Sequence, residues 1–258
     1  MIHPSAIVDP SARVPDSCQV GPFCVIGGDV ELGESCELIS HVTIHGPTRI
    51  GSHNRFFPFS AIGGEPQDLK FHGEATRLEM GDHNTVRECV TINRGTPGGG
   101  GLTKVGSHCL IMAYTHIAHD CIIADHVIMA NAATLAGHVI VEDWAVVGAL
   151  CPVHQYVRIG AHSYIGGGTT ITRDVLPFSK TVEAREGRAY GVNSVGLLRR
   201  GFSDDRVHRI QRAFRALLSP KLNTTQALEK LRADGDLGDD VEQLLRFIES
   251  SERGVITK

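Results

Sequence analysis

An aliphatic side chain recurs at every sixth position from Val105 to Ile171, through Ile111, Ile117, Ile123, Met129, Leu135, Val141, Val147, Val153, Ile159 and Ile165. The same period carries the start of the chain from Ile2 through Val8, Val14, Val20, Ile26, Leu32, Leu38, Ile44, Ile50 and Phe56 to Ile62, and Met80, Val86 and Ile92 keep it in between. A helix repeats at about 3.6 residues and a flat strand at about 2, so neither produces this clock. A parallel coil with three flat faces of six residues does, and a fixed short period over most of a chain marks a solenoid. Residues one turn, or eighteen positions, apart then stack at about 4.8 Å, the spacing of paired strands. Each turn buries three aliphatic side chains, each contributing about 1.5 to 3 kcal/mol, yet one turn leaves its axis open above and below. Only a stack of many turns is therefore stable. The fourth residue after each aliphatic one is mostly small, as at Ala6, Ala12, Thr115, Ala133, Ala145, Ser163 and Thr169, which suits tight corners.

Composition agrees with a narrow aliphatic core, since aromatic residues make up only 5% of the chain. Cys18, Cys24, Cys36, Cys109, Cys121 and Cys151 occupy the small corner positions, where cysteine packs as a small hydrophobe, and without a CxxC pair no zinc site of the usual kind is expected. No apolar run approaches the roughly 18 residues of a membrane span. The repeat begins at Ile2, which leaves no signal peptide before it, and a cytoplasmic protein is expected. The net charge of -4 gives no reason to expect a nucleic-acid partner, but it hides an asymmetry. Residues 180 to 221 hold 10 basic and 4 acidic side chains, a positive field suited to an acidic partner or a phosphate.

The clock breaks twice, near 63-79 and near 94-104. A solenoid accommodates insertions as loops thrown out at a corner, and such loops often line a binding face. Asp68, Lys70 and Arg77 give the first insertion a functional character; the second, with Pro97 and Gly98 to Gly101, is expected to be mobile. The repeat domain spans 1-178. The pattern changes after Val175, and a linker with Pro177, Arg185 and Arg188 leads to an α-helical domain over 190-258. Ser203 is the N-cap of its first strong helix signal, with Asp204 and Asp205 in the first turn, Ile210, Phe214 and Leu217 on one face, and Arg206, Arg209, Arg212 and Arg215 on the exposed side. Further helices begin near Asn223 or Thr224 and near Asp239.

Stacking arithmetic then gathers a cluster. His119 falls under Gly137 and Gln155, Asp120 falls under His138 and Tyr156, and His116 and His154 lie beside them. A neutral imidazole takes a proton near pH 7, an adjacent carboxylate orients it, and a bare glycine leaves room for a reacting carbonyl beside a free N–H. This constellation suits acyl transfer to a hydroxyl. His108, His126 and His162 read as solvated face positions.

The six-residue repeat resembles the hexapeptide-repeat family, which implies a left-handed parallel β-helix; the hand comes from the resemblance, because ordinary parallel crossovers are right-handed. With HIAHD at 116–120, LAGH at 135–138, VHQ at 153–155, QDLK at 67–70, GGGLTKVGS at 99–107 and LLRRGF at 197–202, the whole chain is similar to the UDP-N-acetylglucosamine O-acyltransferases of lipid A biosynthesis. That resemblance implies transfer of an (R)-3-hydroxyacyl group from acyl carrier protein to the glucosamine 3-hydroxyl of UDP-N-acetylglucosamine. It makes His119 the general base, Asp120 the residue that fixes its tautomer, and the Gly137 N–H the oxyanion donor. It assigns sugar, phosphate and acyl contacts to Asp68, Lys70, His116, His138, His154 and Gln155, acyl-length control to Gly167, and nucleotide contacts to Asn193, Arg199 and Arg200. It also implies a homotrimer with clefts between subunits, an acidic carrier docking on the basic tail, and no metal or organic cofactor. The chain departs from the family pattern at Asn93, Val195 and the 183–190 segment, which leaves a 3-amino sugar nucleotide as an alternative acceptor. A trimeric zinc hydratase built from the histidines is the rival from a different class.

Overall fold

The computed structural model describes residues 1–182, 187–235 and 237–257. Short strands of two to four residues follow one another around a three-sided coil and collect into three parallel sheets. Register follows the predicted turn: Val105 pairs with Ile123, Ile123 with Val141 and Val141 with Ile159. The repeat aliphatics point to the axis, where Ile26, Ile44, Ile62, Ile92, Ile117, Leu135 and Val153 stack in one core, and the six corner cysteines are buried with them. At the corners the backbone turns with positive φ at residues other than glycine, from Phe23 through Asp120, His138 and Tyr156 to Phe178. Such a residue projects its side chain away from the axis, so the corners are where the coil displays chemistry.

Two turns are lengthened. Ile50 pairs with Met80, and Met80 with Val105, so the insertions leave from strands that keep their places in the ladder. The strands Ala61–Gly64 and Arg77–Met80 bound the first insertion, and Thr91–Asn93 and Leu102–Val105 bound the second. The second folds into a hydrogen-bonded arc: Gly99 and Gly101 both donate to the Thr96 carbonyl, and Thr96 itself is buried against the solenoid.

Past the last parallel rung, Ser179–Val182 and Arg188–Val192 form an antiparallel pair where the sequence suggested only a linker. Arg188 lies in this pair, whereas Arg185 falls outside the described residues. Four helices follow: α1 (Ser194–Arg199), which the sequence reading missed, α2 (Asp204–Leu217), α3 (Thr224–Ala233) and α4 (Gly238–Glu249). Ser203 caps α2, and Asn223 caps α3 through a reciprocal bond with Gln226, so polar side chains satisfy helix N–H groups as their positions predict. Leu176, Phe178, Leu197, Ile210, Phe214, Leu217, Leu244 and Leu245 form a second core. Arg206 is not on a free basic face: its guanidinium pairs with both oxygens of Asp240 and lies over Phe202. The chain then turns back, and Ile256 inserts into the solenoid core while its N–H bonds to the Asp174 carbonyl. No helix among the described residues is long and apolar enough to cross a membrane.

Candidate active site

Asp120 sits at a corner with φ of 60° and is 5% exposed. His119 Nδ1–H donates to its Oδ2 at 2.8 Å; the acceptor can only be the carboxylate, so the imidazole carries its free lone pair on Nε2. One turn on, the His119 ring lies against Gly137. A Cβ at position 137 would stand 2.5 Å from Cε1 and 2.8 Å from Nε2, so any side chain would displace the ring. Gly137 is buried, and its N–H donates to no acceptor among the described residues.

His138 follows at the next corner, with Nε2 3.7 Å from Asp120 Oδ2 and its ring edge-on to His119. Tyr156 stacks on His138 at 4.4 Å, as the turn spacing placed it. Burial pushes the His138 imidazole below its ordinary pKa, against the opposing pull of Asp120. His116 hydrogen-bonds Thr91 Oγ1 at 2.7 Å, and burial, reinforced by the neighbouring His119, lowers its pKa too. Both therefore stay neutral near pH 7 and act as hydrogen-bonding groups around His119.

The two insertions wall the cleft above this corner. Asp68, Lys70, Phe71 and Glu74 from the first, and Thr96, Pro97 and Gly98 from the second, enclose about 240 Å³ together with His138 and Tyr156. His154 and Gln155 lie exposed on the next turn, with the His154 ring touching the Gln155 carbonyl and Arg253 of the C-terminal tail.

Four predicted residues stand elsewhere in the chain. Gly167 is exposed near Ala149. Asn193 caps α1 and donates to the His162 carbonyl, Arg200 lies over Trp144 and reaches His162 Nδ1 at 3.4 Å, and Arg199 is exposed in the last turn of α1. Asn193 and Arg200 meet at His162, on another edge of the prism from His119, and Gly167 lies on the third edge beside Ala149. His162 is not a solvated face residue, since it stacks between Trp144 and Phe178.

Sequence reading missed Thr96, Thr103 and Gly99. Thr96 donates to both Asp120 oxygens, from its N–H at 2.8 Å and its hydroxyl at 2.6 Å, and the Asp120 N–H donates to Thr103 Oγ1. The GGGLTK segment held the signal, but the turn count does not run through an insertion.

His119, Asp120 and His138 are also the one group among the described residues that could hold a metal ion. In this structure the Asp120 oxygen nearest the two rings accepts the Thr96 hydroxyl and the His119 N–H.

Comparison with known proteins agrees with this fold. The family described as bacterial transferase hexapeptide (six repeats) matches residues 102–137, and the one described as UDP N-acetylglucosamine O-acyltransferase, domain 2, matches residues 174–256. The acyl-[acyl-carrier-protein]--UDP-N-acetylglucosamine O-acyltransferase of Xanthomonas axonopodis pv. citri is 48% identical, over 99% of this chain and 97% of its own. Its namesake from Myxococcus xanthus is 46% identical over 81% of each chain. Among solved structures, the UDP-N-acetylglucosamine acyltransferase of Francisella novicida superposes with a TM-score of 0.97 at 36% identity, covering 100% of this chain and 94% of that one. The Moraxella catarrhalis UDP-N-acetylglucosamine O-acyltransferase gives 0.94 at 38%, covering 99% of each. These likenesses run from one end of the chain to the other, and the chain belongs to the UDP-N-acetylglucosamine O-acyltransferase family.

Proposed function

We propose that the protein moves an (R)-3-hydroxyacyl group from acyl carrier protein to the 3-hydroxyl of UDP-N-acetylglucosamine, the first step of lipid A biosynthesis, with His119 as general base. The observation that carries this reading is the Asp120–His119 dyad lying against Gly137. His119 Nε2 takes the proton of the sugar hydroxyl as its oxygen attacks the thioester carbonyl. The Gly137 N–H donates to the oxyanion of the tetrahedral intermediate. Collapse expels the carrier thiolate, which recovers the proton from the imidazolium, while Asp120 holds Nδ1–H throughout. No metal or organic cofactor enters, because the thioester supplies an activated acyl group.

Asp68, Lys70, His116, His138, His154 and Gln155 are the sugar, phosphate and acyl contacts in this reading, and Gly167 bounds the acyl chain. Asn193 and Arg200 stand at a different edge from His119, with Arg199 beside them in the same helix turn. They serve the nucleotide if a neighbouring copy presents them, so the working form is a homotrimer with its site in the cleft between chains. The acidic carrier docks along the tail, where Arg209, Arg212, Arg215 and Lys230 line a cleft of about 540 Å³. A cytoplasmic location follows from this carrier.

The test is an in vitro assay with a ladder of hydroxyacyl carriers and both 3-hydroxyl and 3-amino acceptors. His119→Ala lowers turnover roughly 100-fold or more with the fold intact, the scale of lost general-base help. Near-normal turnover in that variant removes the mechanism, and preference for the amine reassigns the acceptor.

A further inference from the structure

We propose that the glycine-rich insertion is a clamp on the Asp120 carboxylate, and that Thr96 is a positioning residue for His119. The inference rests on the general-base reading above and deepens it.

A carboxylate this buried stays charged only where donors replace water. Asp120 has three. The Thr96 N–H holds Oδ1 at 2.8 Å, the Thr96 hydroxyl holds Oδ2 at 2.6 Å, and His119 Nδ1–H shares Oδ2 at 2.8 Å. Two donors from one residue, one on each oxygen, fix the plane of the carboxylate, and that plane sets the direction in which His119 is held. The Asp120 main chain is anchored independently by the bond from its N–H to Thr103 Oγ1 at 2.7 Å.

The rest of the insertion closes the clamp. A Cβ at Gly99 would lie 2.0 Å from Asp120 Cγ and 2.3 Å from each oxygen, so the bare backbone of Gly99 is the wall that covers the carboxylate. The bonds from the Gly99 and Gly101 N–H groups to the Thr96 carbonyl fold the segment into a tight arc that keeps that wall in place. At its base, buried Arg94 donates to the Gly63 carbonyl and pairs with Glu65, tying this insertion to the first. Gly99 is therefore required by close approach to a charged group, and Gly100 and Gly101 by their positive φ of 90° and 75°.

Three variants separate this role from substrate binding: Thr96→Val, Thr96→Ser and Gly99→Ala, assayed for kcat and for KM with each substrate across pH. Losing the hydroxyl frees the carboxylate plane to turn and weakens the hold of Oδ2 on His119 Nδ1–H, so the imidazolium is less stabilised. Thr96→Val is expected to lower kcat about tenfold or more, the scale of one lost hydrogen bond to a charge. It moves the acid limb of the kcat profile to lower pH and leaves both KM values unchanged. Thr96→Ser restores kcat and the profile; Gly99→Ala reproduces the loss with Thr96 intact and carries the test if valine at 96 prevents folding. A shift confined to KM, or an unchanged kcat in either disruptive variant, overturns the clamp. Ring 15N shifts of His119 give a readout independent of turnover: Nδ1–H dominates in the native protein and mixes with the other tautomer in Thr96→Val. If His119→Ala retains activity while the tautomer shift occurs, the general-base reading fails and the clamp stands; an unaltered tautomer in Thr96→Val sinks the clamp alone.

Discussion

Cysteine chemistry here is decided by corner geometry. Burial pushes the thiols of Cys36 and Cys109 up to about 11 and that of Cys121 to about 12, and raises Cys18, Cys24 and Cys151 as well. The thiolate is the nucleophile, so these six are inert near pH 8. Cys89 alone is partly exposed. A thiol reagent is expected to label one site per native chain, and Cys89→Ser to abolish the labelling; mass spectrometry finding a label on any corner cysteine in the native state contradicts this. The same arithmetic of turns that put cysteines at corners also brought His119 against Gly137 and His138 beneath Tyr156 from sequence alone. It was silent on Thr96, because residues within an insertion have no fixed register. It was equally silent on Arg206, whose partner Asp240 sits on another helix.

Among the elements, the joint between solenoid and helices is built around His162. Its ring stacks 6.3 Å from Trp144 and 5.8 Å from Phe178, with Phe202 edge-on at 5.0 Å. Burial, then the Arg200 guanidinium, push its pKa down from 6.5 to about 4, with Arg206 adding to this and Asp143 and Asp240 pulling the other way. The sign follows from linkage: between pH 6.5 and about 4 the unfolded chain binds a proton that the folded chain refuses, so stability falls as pH falls through that window. Denaturant midpoints measured at pH 7.5 and pH 5 are expected to drop on acidification, and His162→Phe, which keeps the stack, to reduce the drop. An identical drop in the variant removes His162 as a cause. Cap signals made α2 and α3 legible, because a side chain bonding a nearby N–H is a local event. The Ser179–Val182 and Arg188–Val192 pair was not legible, since it forms by extending a sheet already present, a tertiary effect on a short segment.

At the scale of the whole molecule, one prism edge carries exposed apolar side chains in alternate turns: Phe23, Phe59, Tyr114 and Leu150 stand 58%, 61%, 67% and 69% exposed, with His41, Cys89 and Ala132 between them. Such a ridge on a narrow rod calls for cover by another chain. Light scattering is expected to give about three times the 27.8 kDa of one chain. Coexpressed His119→Ala and Arg200→Ala chains, each inactive alone, are expected to recover part of the activity, because a mixed assembly contains one intact cleft. A single-chain mass with no recovery confines the site to one subunit. The repeat period made the rod legible; the ridge was not, since corner residues escape the six-residue rule that governs the axis. Nineteen described corners hold residues other than glycine in the left-handed region, a conformation that costs each of them roughly 1 kcal/mol or more. The rod thus behaves as a pegboard with one row of pegs along each of its three edges, spaced at the pitch of a turn. A new activity on this scaffold needs no new backbone, only different pegs in adjacent rows.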